Sequence, residues 1–319
     1  MKKSISTSAV AAVAAGAAVS VGSTPALADQ MPGAEPEWFL SLEGGVLFAD
    51  PAIDKTGGVP SGSGFTFDFD DFDTDLGYRG AAAFGRKFND NLDWRLGVAY
   101  SNFVKNHANL LFDVNVSGGS GSGSGFTVSG DFEGTANVSY LTGDLELGHN
   151  VRPGDQFDLR VFGGLRILNS RDSQDKFGEL AIGSSGGLIE QTTRSEFLGA
   201  GPRVGLDFSS RLGEGTVGFS GMLATALIFG NVKTKFEQTI ISGGSGSGSS
   251  FSDTMNNNEM IFNLEAAFGT DFHLTDNAVL TIGYRGEYWN DIRFADDKTG
   301  GGTDSMLSHG PFLRFTTEF

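Results

Sequence analysis

Leu92-Asp93-Trp94-Arg95-Leu96-Gly97-Val98-Ala99-Tyr100-Ser101 decides the fold, because its side chains change character at every step. Leu92, Trp94, Leu96, Val98 and Tyr100 form one row, and Asp93, Arg95 and Ser101 belong to the other. A period of two is that of a strand, whose successive side chains point to opposite faces. Here one face is greasy and the other carries charge.

The same reading extends outward in both directions. Upstream, beyond Asn89-Asp90-Asn91, Leu76, Tyr78, Gly80, Ala82, Phe84 and Phe88 alternate with Arg79, Gly85 and Lys87. The intervening Asn and Asp residues mark a tight turn. Further upstream, Trp38, Leu40, Leu42, Gly44, Val46 and Phe48 alternate with Ser41, Glu43 and Gly45. Downstream, Leu141, Leu145 and Leu147 oppose Tyr140, Thr142, Asp144 and Glu146, and after Arg152-Pro153-Gly154-Asp155 a row from Phe157 to Ile167 opposes Asp158, Arg160 and Arg166. Equivalent rows run through Leu198–Phe208, Val217–Phe229, Met260–Phe272, Leu280–Tyr288 and Leu313–Phe319.

That makes about ten strands. Short connections near residues 90, 153, 212 and 276 alternate with long ones near 50–75, 115–130, 169–195, 230–257 and 292–305. An even number of alternating segments with short turns on one side and long loops on the other is the pattern of a transmembrane antiparallel up-and-down β-barrel, with periplasmic turns and extracellular loops. Segments 177–182 and 188–193 either extend the third long loop or add a hairpin, which leaves the count open by two strands.

A soluble sandwich or lipocalin-like barrel would place the apolar face inside. Charge on the enclosed face weighs against a packed soluble core. Aromatic residues also cluster at strand ends, where a membrane barrel carries its interfacial girdles; these are Trp38, Phe48, Phe88, Trp94, Tyr100, Phe157, Phe208, Phe229, Phe272, Tyr288 and Phe319. After residue 28 no run of eighteen apolar residues occurs, so only a closed sheet would satisfy the backbone in lipid.

Met1-Lys2-Lys3, the small apolar stretch Ala9 to Val21, and Ala26-Leu27-Ala28 have the order of an export signal: positive start, short greasy middle, small-x-small cleavage site. The expected division is a cleaved signal at 1–28 and a barrel at 29–319. Losing two lysines of the 22 Lys+Arg leaves 20 against 39 Asp+Glu, a strongly acidic product that repels nucleic acid. The absence of cysteine excludes a disulfide framework and thiol chemistry. With 48 Gly, 28 Phe and 8 Pro, the composition fits neither a disordered chain nor a bundle of membrane helices.

Three of the long connections carry Gly-Ser tracts running into a phenylalanine: Ser61 to Phe65, Gly118 to Phe126 and Ser242 to Phe251. Such tracts behave as flexible coil and are expected at external loop tips. Between Phe67 and Asp73, acids alternate with aromatics, and Asp68, Asp70, Asp71 and Asp73 are weak candidates for holding a hard cation. Their spacing matches neither an EF-hand nor the glycine-rich calcium nonapeptide, so a solvated loop is the expected reading, with no metal or cofactor.

Catalytic machinery is hard to assemble from this chain. The ten-stranded omptin proteases use acidic pairs and a histidine at the external rim. The nearest match, Asp271-Phe272-His273, falls next to the turn at Thr275 and hence at the periplasmic end. His107 and His309 fall toward the outside but lack a recognisable nucleophile or carboxylate motif, so no enzyme is expected. The enclosed face instead offers a ladder of lumen-lining charges: Glu43, Arg79, Asp144, Arg160, Arg203, Glu265, Arg285 and Arg314. These would either bias an aqueous path or pair across a narrow lumen and close it.

Two stretches carry a family resemblance. Trp38-Phe39-Leu40-Ser41-Leu42-Glu43-Gly44-Gly45 and His309-Gly310-Pro311-Phe312-Leu313-Arg314, the latter shortly before Phe319, resemble the pore-forming outer-membrane family described around the Legionella major outer membrane protein. The resemblance implies a pore-forming role in a Gram-negative outer membrane. The final Leu313, Phe315, Thr317 and Phe319 resemble the signal that outer-membrane barrels present to their assembly machinery. The function expected is a porin-like barrel passing small solutes or ions through a charged lumen. The alternative is a plugged barrel acting as an adhesin or structural protein through its external loops. Expected partners are outer-membrane lipid, lipopolysaccharide and the assembly machinery, with no nucleic acid; the oligomeric state is left open.

Overall fold

The computed structural model describes residues 38–52, 75–89, 91–116, 126–154, 157–182, 185–212, 216–242, 248–293 and 304–319. Nearly all of these residues lie in ten strands: β1 (Trp38–Ala52), β2 (Asp75–Asn89), β3 (Leu92–Val116), β4 (Phe126–Gly154), β5 (Phe157–Ile182), β6 (Ser185–Arg211), β7 (Val217–Ser242), β8 (Gly248–Thr275), β9 (Ala278–Arg293) and β10 (Asp304–Glu318). Each pairs antiparallel with its sequence neighbours, and β1 pairs with β10, so the sheet closes on itself. Closure leaves no unpaired edge, the condition for a sheet to sit in hydrocarbon. Among the described residues no helix is long and apolar enough to cross a membrane.

The seam joins the chain ends directly. Trp38 N donates to the Phe319 carbonyl at 3.0 Å and Phe319 N to the Trp38 carbonyl at 2.9 Å. From there the register places Leu42 opposite Phe315 and Glu43 opposite Arg314.

Side-chain parity follows the alternation in sequence. Leu42, Leu96, Leu145 and Ile282 face outward and are 37–53 % exposed. Along β7 the outward apolar row runs from Val217 to Phe229, and along β5 from Phe157 to Ile167. At roughly 3.3 Å per residue and a tilt near 40°, such rows cover about 25–30 Å of height, the thickness of a bilayer core. At the periplasmic end, Trp38 stacks on Phe84 (5.0 Å), Trp94 meets both edge-on, and Arg86 lies over Trp38.

Strand lengths divide the ring into a short arc of four strands and a tall arc of six. β1, β2, β9 and β10 have 15 or 16 residues, whereas β3 through β8 have 25 to 29. A tilted span needs about 9–11 residues, so six consecutive strands continue well past the membrane on the side opposite the tight turns. The external connections are long, as the sequence indicates, but much of 169–182, 185–195, 230–242 and 248–257 stays hydrogen bonded as hairpin. Above the apolar band the outward face of these hairpins meets water and the inward face holds buried polar residues such as Asp172, Thr193, Ser195 and Thr234, so apolar and polar residues no longer alternate and the strand signal fades. Residues 248–251 of the third Gly-Ser tract belong to β8 and Phe126 to β4. The tracts at 61–65 and 118–125, the acids Asp68, Asp70, Asp71 and Asp73, and the signal at 1–28 lie outside the described residues.

Candidate functional site: the lumen

The inward row of each strand supplies a side chain to the barrel interior, and two layers result. The layer toward the outside is apolar: Leu47 and Ala49 of β1, Phe103 of β3, Tyr140 and Val138 of β4, Leu168 of β5, Phe197 of β6, Ile228 of β7, Ile261 of β8, Trp289 and Ile292 of β9 and Met306 of β10 are all buried in one cluster. Trp289, the largest of them, has no exposed surface.

Beneath this layer lies a belt of ion pairs. Glu43 accepts from Arg314 (2.6 Å), Arg285 (3.0 Å) and Arg79 (3.3 Å), all three from strands on its own side of the ring. Arg285 and Arg79 also reach Glu287, at 3.6 and 3.1 Å. Glu265 takes Arg166 and, in a two-pronged contact, Arg203 at 3.3 and 3.2 Å. Arg166 holds Asp144 with both ends of its fork, 2.7 and 2.6 Å. Arg203 passes the chain to Glu146 (3.1 Å), and Arg160 links Glu146 (3.1 Å) to Asp93 and Asp207 (2.9 Å each). The fork of arginine suits this work, since its planar donors match carboxylates in pairs.

Phenylalanine rings are set within the belt, Phe162 between Arg160 and Arg203 and Phe312 between Arg285 and Arg314. Arg160 and Arg203 lie over Phe162 at 4.9 and 5.6 Å, and Arg285 and Arg314 over Phe312 at 5.7 and 5.0 Å. An arginine plane over a ring adds cation–π attraction while filling space. These rings in turn need glycine beside them: a Cβ on Gly205 or Gly283 would come within 2.5 Å of the Phe162 or Phe312 ring. The abundance of glycine therefore has a local cause in the lumen.

Every charge singled out in the sequence, Glu43, Arg79, Asp144, Arg160, Arg203, Glu265, Arg285 and Arg314, stands on an inward position and joins the belt. Asp93, Glu146, Arg166, Asp207 and Glu287, which the alternation also puts on the charged face but which the ladder omits, complete it. Each shares strand parity with a residue of the ladder, which is the signal that finds it. Tyr140 and Trp289 were not separable from apolar filler without knowing which strands face each other. Near the periplasmic end Asp271 is buried and accepts from Ser220 (2.8 Å) and Thr281 (2.6 Å).

The histidines are not gathered into a rim site. His107 falls at a β-bulge of β3 against β4. His309 is on the outward face of β10, where its Nδ1 shares a 2.6 Å hydrogen bond with Tyr284 and its ring stacks on that phenol. Among the described residues no group of three or more His, Asp or Glu is placed to hold a metal ion. Of the terminal residues, Leu313, Phe315 and Phe319 are exposed on the outside and Thr317 is half-buried beside Leu40.

Among solved structures, the chain is similar to the outer membrane protease OmpT from Escherichia coli, at 10 % identity and TM-score 0.40, covering 89 % of this chain and 96 % of that one. It is also similar to a major outer membrane protein from Thermus thermophilus (12 %, TM-score 0.33, 89 % and 99 %). A third likeness is to Ail, the attachment invasion locus protein of Yersinia pestis (12 %, TM-score 0.26, 89 % and 99 %). At such scores these likenesses say nothing about activity. No curated protein matches the chain. Residues 31–319 match the family described as the Legionella pneumophila major outer membrane protein precursor, and with a closed ten-stranded barrel over that span the chain belongs to this family of Gram-negative outer-membrane proteins.

Proposed function

We propose that this chain is an outer-membrane barrel with a closed lumen, acting as an adhesin or structural protein through the hairpins it raises above the membrane. One observation carries the reading: Tyr140 Oη donates to Glu287 Oε2 at 2.8 Å between β4 and β9, which lie diametrically opposite in the ring. Side chains from facing walls that hydrogen bond leave no width for a solute. The same height holds a continuous apolar layer, which an ion would cross only at a desolvation cost of several kcal/mol. Export behind residues 1–28 and insertion through the terminal Leu313, Phe315, Thr317 and Phe319 belong to the same proposal.

Conductance in planar bilayers tests it. The folded protein is expected to give no stable steps, and steady ohmic steps from the unmodified chain would refute closure. The intact mass of protein recovered from outer membranes should begin at residue 29. Shortening the β7–β8 hairpin between 236 and 253 should reduce attachment of expressing cells to surfaces. Unchanged attachment with an intact barrel would leave only the structural role.

A second reading, passive diffusion of small ions through the lumen, is favoured by a different observation. Among the described residues, everything that closes the lumen is a wall side chain, packed in the apolar layer or held by ion pairs, with no inserted segment of backbone. Rearrangement of those pairs would open a charged path, and conductance appearing only when the belt is weakened would support it.

A further inference from the structure

We propose that the outward face of the β6–β7 extension carries a binding site for the phosphate groups of outer-leaflet lipid, built by Arg194, Lys233 and Lys235. The observation behind it is a facing pair of like charges that the single carboxylate of Glu237 offsets only in part. Arg194 of β6 stands directly opposite Lys235 of β7 in the ladder, and Lys233 lies on the same face two residues from Lys235. Like charges facing across a strand pair are destabilising. In a chain with net charge -17, cations are scarce enough that such a grouping is unusual.

The neighbouring acids neutralise the group only in part. Glu237 binds Lys235 at 2.7 Å, and the Lys235 ammonium, with a further contribution from Arg194, holds that carboxyl below its ordinary range, which leaves one carboxylate between two cations. Glu196, opposite Lys233, pairs instead with Arg171 of β5 at 3.7 Å. Arg194 and Lys233 make no ion pair or hydrogen bond among the described residues, and both are exposed.

Height identifies the occupant. On β7 the last large apolar residue of the outward row is Phe229, 54 % exposed, followed on that face by Asn231 and then Lys233. On β6 the row ends at Leu198, 62 % exposed, two outward positions before Arg194. Four residues of strand at roughly 3.3 Å, tilted near 40°, raise Arg194 and Lys233 about 10 Å above the hydrocarbon, and Lys235, six residues beyond Phe229, about 15 Å. That is the depth of lipid headgroups, and long Lys and Arg side chains reach down toward it. A phosphate between Arg194 and Lys235 would accept from both, while its acyl chains lie along Leu198, Phe229 and Met260. A free phosphate would satisfy the charges but not explain their height.

The test uses the folded full-length protein in detergent micelles, titrated with bisphosphorylated lipid A, with the same lipid enzymatically dephosphorylated, and with inorganic phosphate. The phosphorylated lipid should bind about tenfold or more tightly than the dephosphorylated one. Arg194→Gln, Lys233→Gln and Lys235→Gln combined should abolish that preference, and Arg211→Gln at the periplasmic end should not. Lys235→Gln alone provides a minimal perturbation whose folding is checked by heat-modifiable gel mobility, and it should lose part of the preference. Equal binding of the two lipids, an unaltered preference in the triple variant, or inorganic phosphate binding as tightly as the lipid would each overturn the proposal.

Discussion

Tyr140 and Glu287 are 147 residues apart in sequence and five strands apart in a ring of ten, yet their side chains meet at 2.8 Å. The contact measures the lumen. It also ties the two halves of the ring at the level where the apolar layer meets the ion pairs, since the Tyr140 ring lies 5.1 Å from Trp289 and 6.1 Å from Phe103.

Tyr140→Phe keeps the ring packing and removes only the donor. Glu287 retains Arg79 and Arg285, so the variant is expected to fold and to lose about 1.5–3 kcal/mol, the worth of a buried hydrogen bond to a charged group. Urea unfolding followed by loss of heat-modifiable gel mobility reads the change. An unaltered midpoint would show that the two walls do not depend on each other through this bond.

Glu265→Gln strikes the belt where it is most crowded. The carboxylate faces Arg166, Arg203 and Arg285, and the amide would leave these buried cations short of one counter-charge. Breaking a buried pair costs about 3–5 kcal/mol. The variant should unfold at lower urea and, if it inserts, should show conductance steps that the unmodified chain lacks. A destabilised but silent variant would locate the permeability barrier in the apolar layer above.

How much of this was legible in sequence depends on which face a residue serves. Leu96 and Asp93 announce opposite faces because lipid and lumen differ, and ten strands follow from repeating that contrast. The outer parts of β5 to β8 lose it, because Thr192, Arg194 and Glu196 on one face and Thr193 and Ser195 on the other are all polar. Inward charge could be read from parity alone, but its pairing could not. That Arg166 of β5 meets Glu265 of β8 depends on ring diameter and stagger, which no single strand records. The cations at Arg194 and Lys235 were equally hidden, since only register brings them face to face.

Lipid exposure predicts a dependence on depth. Leu165, 57 % exposed and flanked by Leu145 and Pro202 on the adjacent strands, lies inside the apolar band, four residues below the level of Leu198. Leu165→Arg should cost about 2–4 kcal/mol, while Leu198→Arg at the outer edge of the band should cost about 0–1 kcal/mol. The comparison is made by unfolding both variants from the same lipid vesicles. Equal costs would mean that the band is not centred where its outward row places it.

Gly205 tests whether glycine is required by the rings inside the barrel. A Cβ there would stand 2.5 Å from the tip of Phe162 and 2.7 Å from the Leu223 carbonyl, so Gly205→Ala must displace a ring that Arg160 and Arg203 both cover. Overpacking of this kind costs about 1–3 kcal/mol. Phe162→Leu alone should also destabilise, by removing buried ring surface. If the ring is the obstacle, the double variant should be more stable than the two losses added together, because the smaller side chain yields to the new methyl. Additive losses would instead assign the obstruction to the Leu223 carbonyl, and with it to the spacing of β6 and β7 rather than to the packing within the belt.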